Sequence, residues 1–243
     1  MGLANDLSSF AATVVRLGRG ISRRGAANTA PARPLELYDF EACPYCRRVR
    51  EVLTELDLDY VAHPVAHGST RRQELRRLGG KVQVPYLVDP NTDRRLYESA
   101  DIIRYLRSTY GTQRTPWSLP LPNIVDTLNS SVASLCRLGR GSRCTTAAPR
   151  TDLQPLLLYN MEGSPYCRKV REALSELDLV HRVRNLPKGS AKRAELIARG
   201  GKMQVPYLVD PNRGDELYES DDIVAYLQAH YGSAAAERAR RPR

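Results

Sequence analysis

The chain has 243 residues, of which 42% are hydrophobic, and a formal net charge of +10. This length fits one large domain or two small ones, and the hydrophobic content is that of a globular protein. The arginines are scattered, and two Phe and one Trp offer few rings for base stacking, so we expect no nucleic acid partner. No apolar run approaches the ~20 residues needed to span a bilayer, and we expect no membrane partner.

The cysteine content indicates the compartment. Five cysteines is an odd number, whereas small secreted proteins usually hold even sets of cysteines paired in disulfides. The apolar stretch near the start, FAATVVRL, is too short for a signal peptide and lacks its flanking signals. We therefore expect a cytoplasmic protein whose thiols are kept reduced.

The sequence repeats itself with a period of 121 residues. GGKVQVPYLVDP at 79–90 and GGKMQVPYLVDP at 200–211 differ at one position in twelve, and RLGRG at 16–20 recurs at 137–141. The alignment needs no gap, so the chain contains two copies of one unit.

An amphipathic element and a linker precede each copy. The first pair lies within 1–34 and the second within 114–155. A targeting peptide would have no reason to recur in mid-chain. We therefore interpret both amphipathic elements as helices, each covering a face of its own unit.

The first unit, 35–113, alternates predicted strands and helices. Strands are predicted at 35–40, 59–65, 84–89 and 94–98, and helices after the motif at 43–46, over 70–78 and over 99–111. Thr70 and Gln73 are spaced as a capping box for the second helix. The second unit, 156–232, follows the same βαβαββα order, and a basic tail occupies 233–243. This order predicts an α/β fold.

The CPYC segment at 43–46 lies where the first strand ends and a helix begins. Pro44 fits the first helical position, which places Cys43 at the N-cap, beside free amides and the positive end of the helix dipole. That environment stabilises a thiolate, so we expect Cys43 to be a nucleophile. Cys46, one turn later, is placed to attack a mixed disulfide on Cys43 and release the partner.

Arg47 and Arg48 follow the motif, and we expect them to add positive charge beside Cys43. Two other interpretations of the cysteine pair are a pair of inert core side chains and half of a zinc site. A zinc site needs a second ligand pair, and no complementary C-x-x-C or H-x-x-H follows, so we expect no metal ligands. Thiol chemistry is the interpretation that the strand, the proline and the spacing favour.

Three segments resemble the N-terminal domain of glutathione S-transferases, a glutaredoxin-like member of the thioredoxin superfamily. They are CPYCRRVR, VPYLVD at 84–89 and YESADIIRYL at 97–106, and the second copy repeats them as SPYCRKVR, VPYLVD and YESDDIVAYL. The resemblance implies a thioredoxin-like fold for each unit and glutathione as a cosubstrate. It also implies that the peptide bonds before Pro85 and Pro206 are cis.

The resemblance further implies which residues hold glutathione. The backbone of the residue before the cis proline pairs with the cysteinyl part of glutathione. A Glu-Ser pair holds its γ-glutamyl end, since a carboxylate can meet the ammonium while a helix N-terminus and a hydroxyl receive the carboxylate. A plain N-cap is the structural role open to the two serines. The implied residues are Tyr45, Val84, Pro85, Glu98 and Ser99 in the first unit, and Tyr166, Val205, Pro206, Glu219 and Ser220 in the second.

The chain departs from full transferases in its architecture. A full transferase continues into a long all-helical C-terminal domain that holds the apolar cosubstrate, whereas here a second copy and a short tail follow. We therefore expect two tandem thioredoxin-like domains without that helical domain. Units of this size have small cores, so we expect the two to pack against each other as an intramolecular pseudo-dimer.

In the second copy Ser164 replaces the nucleophile, and Cys167 keeps the resolving position. Ser164 cannot form a disulfide, but in the resembling family a serine at this place donates a hydrogen bond to the glutathione thiolate. A structural or glutathione-docking role for this unit is the alternative. Cys136 and Cys144 have no counterparts in the first copy and are either incidental or a secondary thiol pair.

Three functional hypotheses follow. The leading one is a glutathione-dependent thiol-disulfide oxidoreductase that uses Cys43 and Cys46 on protein or small-molecule disulfides, with the second unit binding glutathione non-covalently. The second is a transferase-like enzyme in which Ser164 activates glutathione, and the third is a non-catalytic glutathione-binding adaptor. An iron–sulfur cluster held together with glutathione, as in some glutaredoxins, is also compatible with the motif.

Overall fold

A computed structural model describes residues 3–16, 18–25, 30–112, 123–145 and 152–232. The basic tail and parts of both linkers lie outside the described residues. Within those ranges, no helix has the length and apolar content required to cross a bilayer.

The two units have the same order of elements. A first helix, α1 (Leu3–Val15), precedes the first unit, which comprises β1 (Leu35–Asp39), α2 (Pro44–Glu55), β2 (Tyr60–Pro64), α3 (Arg71–Gly79), β3 (Tyr86–Asp89), β4 (Arg94–Leu96) and α4 (Ser99–Tyr110). Helix α5 (Asn123–Leu135) precedes the second unit, which comprises β5 (Leu156–Asn160), α6 (Pro165–Glu176), β6 (His181–Asn185), α7 (Arg193–Gly200), β7 (Tyr207–Asp210), β8 (Asp215–Leu217) and α8 (Ser220–Tyr231). The predicted α/β fold with two tandem thioredoxin-like βαβαββα units is confirmed.

The strands of both units form one eight-stranded sheet in the order β4-β3-β1-β2-β6-β5-β7-β8. Within the first unit, β1 and β2 are parallel, whereas β3 and β4 form an antiparallel hairpin. The units meet where β2 pairs antiparallel with β6, with Tyr60 opposite Val183 and Ala62 opposite His181. Each unit therefore covers the strand edge that the other would otherwise leave unpaired.

Alternating side chains along β1 supply both faces of the sheet. Leu37 packs on one face with Leu53 of α2. Tyr38 packs on the other face with Leu75 of α3. The second unit repeats both clusters. Packing of α2 and α6 on the same kind of core fixes the position at which the CPYC and SPYC segments begin their helices.

The helices α1 and α5 pack on opposite units. Helix α1 lies along α6 of the second unit, α5 lies along α2 of the first, and the two also touch each other. The Ser9 hydroxyl donates a hydrogen bond to the carbonyl of Pro165 (2.7 Å), and the Ser130 hydroxyl donates to that of Pro44 (2.8 Å). The expectation that each helix covers its own unit is therefore wrong, because each helix finds its hydrogen-bonding partners on the other unit.

The repeated RLGRG segment holds this crossing in place. Arg16 forms an ion pair with Glu51 of its own unit, with 2.7 Å between Nε and Oε1. Four residues later, Gly20 lies so close to Glu162 of the other unit that an added Cβ would be 2.9 Å from the glutamate Cβ. The second copy repeats both contacts, with Arg137 on Glu172 and Gly141 against Glu41. Each RLGRG segment thus contacts both units.

Helix α3 begins in a different way from the prediction. The side chain of Thr70 makes no cap, and the Ser69 hydroxyl instead accepts a hydrogen bond from the amide of Arg71 (3.1 Å). Both hydroxyls also donate to the carboxylate of Asp178 in the second unit, at 2.7 Å from Ser69 and 3.5 Å from Thr70. The predicted capping box between Thr70 and Gln73 is therefore wrong, because the neighbouring unit takes the Thr70 hydroxyl.

Candidate functional site

Cys43 occupies the N-cap of α2, as predicted, and Pro44 is the first helical residue. The backbone at Cys43 is extended (φ −69°, ψ 119°), which turns the side chain over the first turn of the helix. Its Sγ accepts a hydrogen bond from the amide of Cys46 at 3.4 Å. The geometry directs free helix amides at the sulfur, where they favour its charged form.

The two cysteines have opposite pKa shifts. The hydrogen bond with the Cys46 thiol, helped by the amides of Cys46 and Tyr45 and by the charge of Arg50, lowers the pKa of Cys43 in spite of burial. Burial, together with the hydrogen bond to Cys43 and the negative charge there, raises the pKa of Cys46 well above its ordinary value. One sulfur is thus set up as a thiolate and the other as a thiol.

The positive charge beside Cys43 comes from a different arginine than expected. Arg50 is the arginine that lowers the pKa of Cys43. Arg48 instead forms an ion pair with Asp126 of α5, with 2.7 Å between Nε and Oδ2. Arg47 points into the interface between the units. The expectation that Arg48 supplies this charge is wrong, because Asp126 neutralises it, and Arg47 donates to a carbonyl of α5.

Helix α5 covers the CPYC segment. Cys43 is only 5% exposed and Cys46 is fully buried. The Ser130 hydroxyl of α5 bonds to the carbonyl of Pro44, and the Ser130 carbonyl accepts from Arg47 (3.2 Å). Helix α5 thus contacts the first turn of α2, and the Cys43 sulfur is nearly buried.

The second unit has the same geometry with a hydroxyl in place of the thiol. Ser164 is the N-cap of α6 (φ −74°, ψ 124°), and its Oγ accepts a hydrogen bond from the amide of Cys167 at 3.3 Å. Ser164 is 5% exposed, and α1 covers it as α5 covers Cys43. Burial raises the pKa of Cys167, so this sulfur is held as a thiol without a second sulfur beside it.

Two of the residues that the resemblance assigned to glutathione in each unit flank a cis peptide bond. The Val84–Pro85 and Val205–Pro206 peptide bonds are cis, as expected, and each precedes a strand of its unit. Tyr45 and Tyr166 are about half exposed beside the two motifs. Phe10 of α1 stands edge-on to Tyr166, with 5.6 Å between the ring centroids.

The Glu-Ser pairs have a different local geometry from a plain N-cap. Glu98 and Glu219 occupy the N-cap positions of α4 and α8 with positive φ (63° and 62°), and neither side chain caps its helix. Ser99 and Ser220 are therefore the first helical residues, and both are buried. The two serines are therefore not N-caps. Their hydroxyls lie in the first turn of each helix, where an anion is favoured.

Two glutamines that the sequence analysis missed hold these glutamates. Gln83 donates a hydrogen bond from Nε2 to Oε1 of Glu98, and Gln204 does the same to Glu219 at 2.6 Å. Each glutamine lies in the twelve-residue segment that the two copies share almost unchanged. The near identity of this segment in the two copies was the sequence signal that could have pointed to the glutamines.

A buried ion network joins the two units behind the motifs. Arg50 of α2 reaches Glu162 of the second unit (3.2 Å), and Arg171 of α6 reaches Glu41 of the first (3.0 Å). Arg50 also bonds to Asp39 at 2.6 Å. Burial alone would raise the pKa of Glu41, but Arg171 and Arg50 outweigh it and lower this pKa to about 2. Sequence reasoning missed the network, although the arginine and the glutamate recur at a spacing of 121 residues, while Asn160 stands where Asp39 would recur.

A family model described as "Glutathione S-transferase, N-terminal domain" matches residues 37–114 and again 158–236. The "Glutathione S-transferase-like protein tpcF" of Aspergillus fumigatus is 38% identical over 80 residues, which are 33% of this chain and 35% of that protein. "Glutaredoxin 3" of Escherichia coli strain K12 is 28% identical over 53 residues, 22% of this chain and 64% of that protein. The chain therefore spans about a third of the transferase-like relative.

A trimeric glutathione transferase of Leishmania, TDR1, is a solved structure with 15% sequence identity. The match covers 81% of this chain and 68% of that one with a TM-score of 0.29, which is too low to indicate a shared overall arrangement. The family model, in contrast, matches both units and more than half of the chain. The chain belongs to the family of glutathione S-transferase N-terminal domains, of which it contains two in tandem.

Proposed function

We propose that the protein is a glutathione-dependent thiol-disulfide oxidoreductase with Cys43 as nucleophile and Cys46 as resolving thiol. The observation that carries the proposal is the pair of opposite pKa shifts at one helix N-terminus, lowered at Cys43 and raised at Cys46. A thiolate attacks a disulfide, whereas a protonated neighbour does not compete for the same bond.

In the first step the Cys43 thiolate attacks the glutathione sulfur of a mixed disulfide. The S–S bond breaks, Cys43 becomes linked to glutathione, and the substrate sulfur leaves as a thiolate that takes a proton from water. A glutathione thiolate then attacks the glutathione sulfur on Cys43, which releases glutathione disulfide and restores the Cys43 thiolate. Overall, one free glutathione is consumed, and the mixed disulfide becomes the substrate thiol and glutathione disulfide.

Cys46 offers a second way to resolve the mixed disulfide. The negative charge on Cys43 is one cause of the raised pKa of Cys46, and that charge disappears when Cys43 enters a disulfide. The Cys46 thiol then loses its proton more readily, because Arg50 still favours its thiolate. Attack by Cys46 forms a Cys43–Cys46 disulfide and releases glutathione, and two further glutathione molecules reduce that disulfide.

We assign glutathione binding in the first unit to the backbone of Val84 beside Pro85, to Glu98 and Ser99, and to the ring of Tyr45. Gln83 holds the Glu98 carboxylate in position for the glutathione ammonium. In the second unit the equivalent set would hold glutathione without a covalent bond, since Ser164 offers only a hydroxyl. Its residues are Tyr166, Val205, Pro206, Glu219 and Ser220.

The partners we propose are glutathione and disulfide substrates, in a reducing cytoplasm. The near burial of Cys43 beside α5 favours small-molecule disulfides over disulfides of folded proteins. The substrate disulfide must line up with the attacking Cys43 sulfur, and a bulky protein has little room to do so there. We further propose that the two units, joined through β2 and β6, act as an intramolecular pseudo-dimer.

The test measures reduction of the mixed disulfide of glutathione and 2-mercaptoethanol in the presence of glutathione. Cys43→Ser should reduce the rate to background, because the nucleophile is lost, while Ser164→Ala should leave it nearly unchanged. Cys144→Ser is the matched control, since it removes a thiol outside the motif. Full activity in Cys43→Ser would contradict the proposal, and circular dichroism checks that each variant is folded.

A second candidate function is suggested by the second N-cap. Ser164 Oγ accepts the same hydrogen bond from the helix amide that Cys43 Sγ accepts, and its hydroxyl proton can be donated to a glutathione thiolate in place of the Cys167 sulfur. A transferase-like activity would then conjugate glutathione to an electrophile such as 1-chloro-2,4-dinitrobenzene. Ser164→Ala should abolish this conjugation and Cys43→Ser should spare it. If neither variant changes any glutathione-dependent rate while glutathione still binds, the adaptor hypothesis is favoured.

A further inference from the structure

Arg47 and Arg168 are equivalent residues of the two units and lie deep in the interface between them. They stand one turn into α2 and α6, and their amides donate to the carbonyls of Cys43 and Ser164. They are only 1% and 2% exposed. Each is enclosed by the crossed helix on its own side, α5 over Arg47 and α1 over Arg168.

Neither guanidinium has a carboxylate partner within the described part of the chain. Arg47 donates from Nη1 to the carbonyl of Ser130 (3.2 Å), and Arg168 donates from Nη1 to the Ser9 carbonyl and the Thr13 hydroxyl (3.1 Å). The Nε of each arginine is buried and has no hydrogen-bond partner there. These contacts are to neutral oxygens, and the carboxylates of Glu41 and Glu162 act on both guanidiniums only from beyond ion-pair distance.

A third polar atom without a partner belongs to the same region. Ser134 stands in α5 where Thr13 stands in α1, 121 residues earlier. The Thr13 hydroxyl bonds to Arg168 and to the carbonyl of Gly163, whereas the buried Ser134 Oγ has no partner among the described residues. By the repeat, Ser134 belongs beside Arg47. Buried polar atoms in folded proteins are rarely left unpaired without a ligand or water.

The neighbouring cations show that this lack of partners is specific to one position. Arg48 pairs with Asp126, and its equivalent Lys169 pairs with Asp6 and Asp221. One turn further along, the buried Arg50 and Arg171 pair with the interface carboxylates. Among the buried cations of the described chain, only Arg47 and Arg168 have no carboxylate within ion-pair distance.

The balance of charge at the interface points in the same direction. The buried carboxylates Asp39, Glu41 and Glu162 are in ion-pair contact with Arg50 or Arg171 and not with Arg47 or Arg168, and burial raises the pKa of Asp39. Arg47 and Arg168 donate to α5 and α1, and these two helices touch each other. Burial and then the charge of Arg47 lower the pKa of Arg168 to about 10. Two like charges in a region that excludes water repel each other, and an anion between them would remove the repulsion.

We propose that Arg47 and Arg168 form a binding site for a small tetrahedral dianion, inorganic phosphate, at the junction of the two units. Two planar guanidinium forks can each give paired hydrogen bonds to such an ion, and Ser134 can add a third donor. The enclosure by α1 and α5 selects a free ion over the phosphate group of a larger molecule. The site does not involve the sulfur chemistry at Cys43, so it stands or falls independently of the proposed function.

The experiment follows thermal unfolding of the full chain at pH 7.4 as inorganic phosphate is added, with sodium chloride keeping the ionic strength constant. At about 100 times Kd, phosphate should raise Tm by roughly 5 to 10 °C in a saturable way. The double variant Arg47→Met with Arg168→Met should lose this response. Its Tm without phosphate should equal or exceed that of the wild type, because methionine replaces a buried charge that has no carboxylate within ion-pair distance.

Arg107→Met is the matched control, since Arg107 is an exposed arginine on α4 and its loss should leave the phosphate response intact. Arg168→Lys, which keeps the charge but loses the fork, should weaken the response without removing it. Calorimetric titration of the wild type with phosphate gives an independent readout that needs no variant. The proposal is overturned if the titration gives no measurable heat and phosphate causes no saturable rise in Tm. It is also overturned if the double variant folds and responds to phosphate as the wild type does.

Discussion

His181 makes the stability of the fold sensitive to acid. It lies in β6 at the junction of the units and is 4% exposed. Its Nδ1 donates a hydrogen bond to the carbonyl of Leu179 (2.9 Å), which fits the neutral ring. Burial, aided by the charges of Arg171 and His63, lowers its pKa from 6.5 to about 4. The equivalent residue of the first unit is Tyr60, which carries no such charge.

The size of the effect follows from the shift in pKa between the unfolded and folded states. Between pH 6.5 and pH 4 the unfolded chain holds a proton on His181 that the folded chain does not, so stability is complete above pH 6.5 and falls as the pH drops through this window. The loss from this one residue is about 3 kcal/mol by pH 4. That is a large fraction of the net stability of a typical protein.

Urea unfolding at constant ionic strength, at several pH values between 7.5 and 4, measures the free energy of unfolding directly. His181→Gln keeps a polar side chain but removes the titration, so its stability should fall by about 3 kcal/mol less than that of the wild type over this range. The buried carboxyls Asp39, Glu55 and Glu176 have raised pKa values and act in the opposite direction, but they do so equally in both proteins. If the two proteins lose stability in parallel, the reasoning is refuted.

Two further substitutions test the packing of the connectors and the second N-cap. Gly141→Ala should destabilise the fold by about 3 kcal/mol in urea unfolding, because φ is +75° and the new Cβ would meet the Cβ of Glu41 at 2.8 Å. Gly214→Ala is the control, with φ +78° and open space around it, and should cost only about 1 kcal/mol; equal losses would show that the contact with Glu41 is unimportant. Ser164→Cys should recreate the dithiol geometry with Cys167, so that mild oxidation removes one more pair of thiols than in the wild type, as counted with a thiol reagent after unfolding. An unchanged thiol count would mean that the second N-cap cannot support a disulfide.

The elements inside each unit were predictable because their signals are local. The apolar residues of α2 recur at helical spacing, and Pro44 marks the first helical position, which fixes Cys43 as the N-cap. The same local signals placed Ser164 at the second N-cap. A side chain bonded to an amide three residues away depends on little beyond its own turn of helix.

The contacts between the units were not predictable in this way. Arg47 follows the motif directly and was expected to lie beside the thiol, yet α5, which begins after position 120, encloses it. Thr70 fits a capping pattern, yet a carboxylate from the other unit takes its hydroxyl. The pattern of a segment shows which face is apolar, but it does not show which copy of a repeated surface will cover that face.

The crossing of α1 onto the second unit also sets an order of events during synthesis. Helix α1 is made before both units, but the Pro165 carbonyl that receives the Ser9 hydroxyl lies 156 residues further along the chain. At a translation rate of about 5 to 20 residues per second, roughly 8 to 30 s pass before that partner exists. Helix α1 therefore leaves the ribosome well before its partner does, and its apolar side chains need a temporary partner until α6 is made.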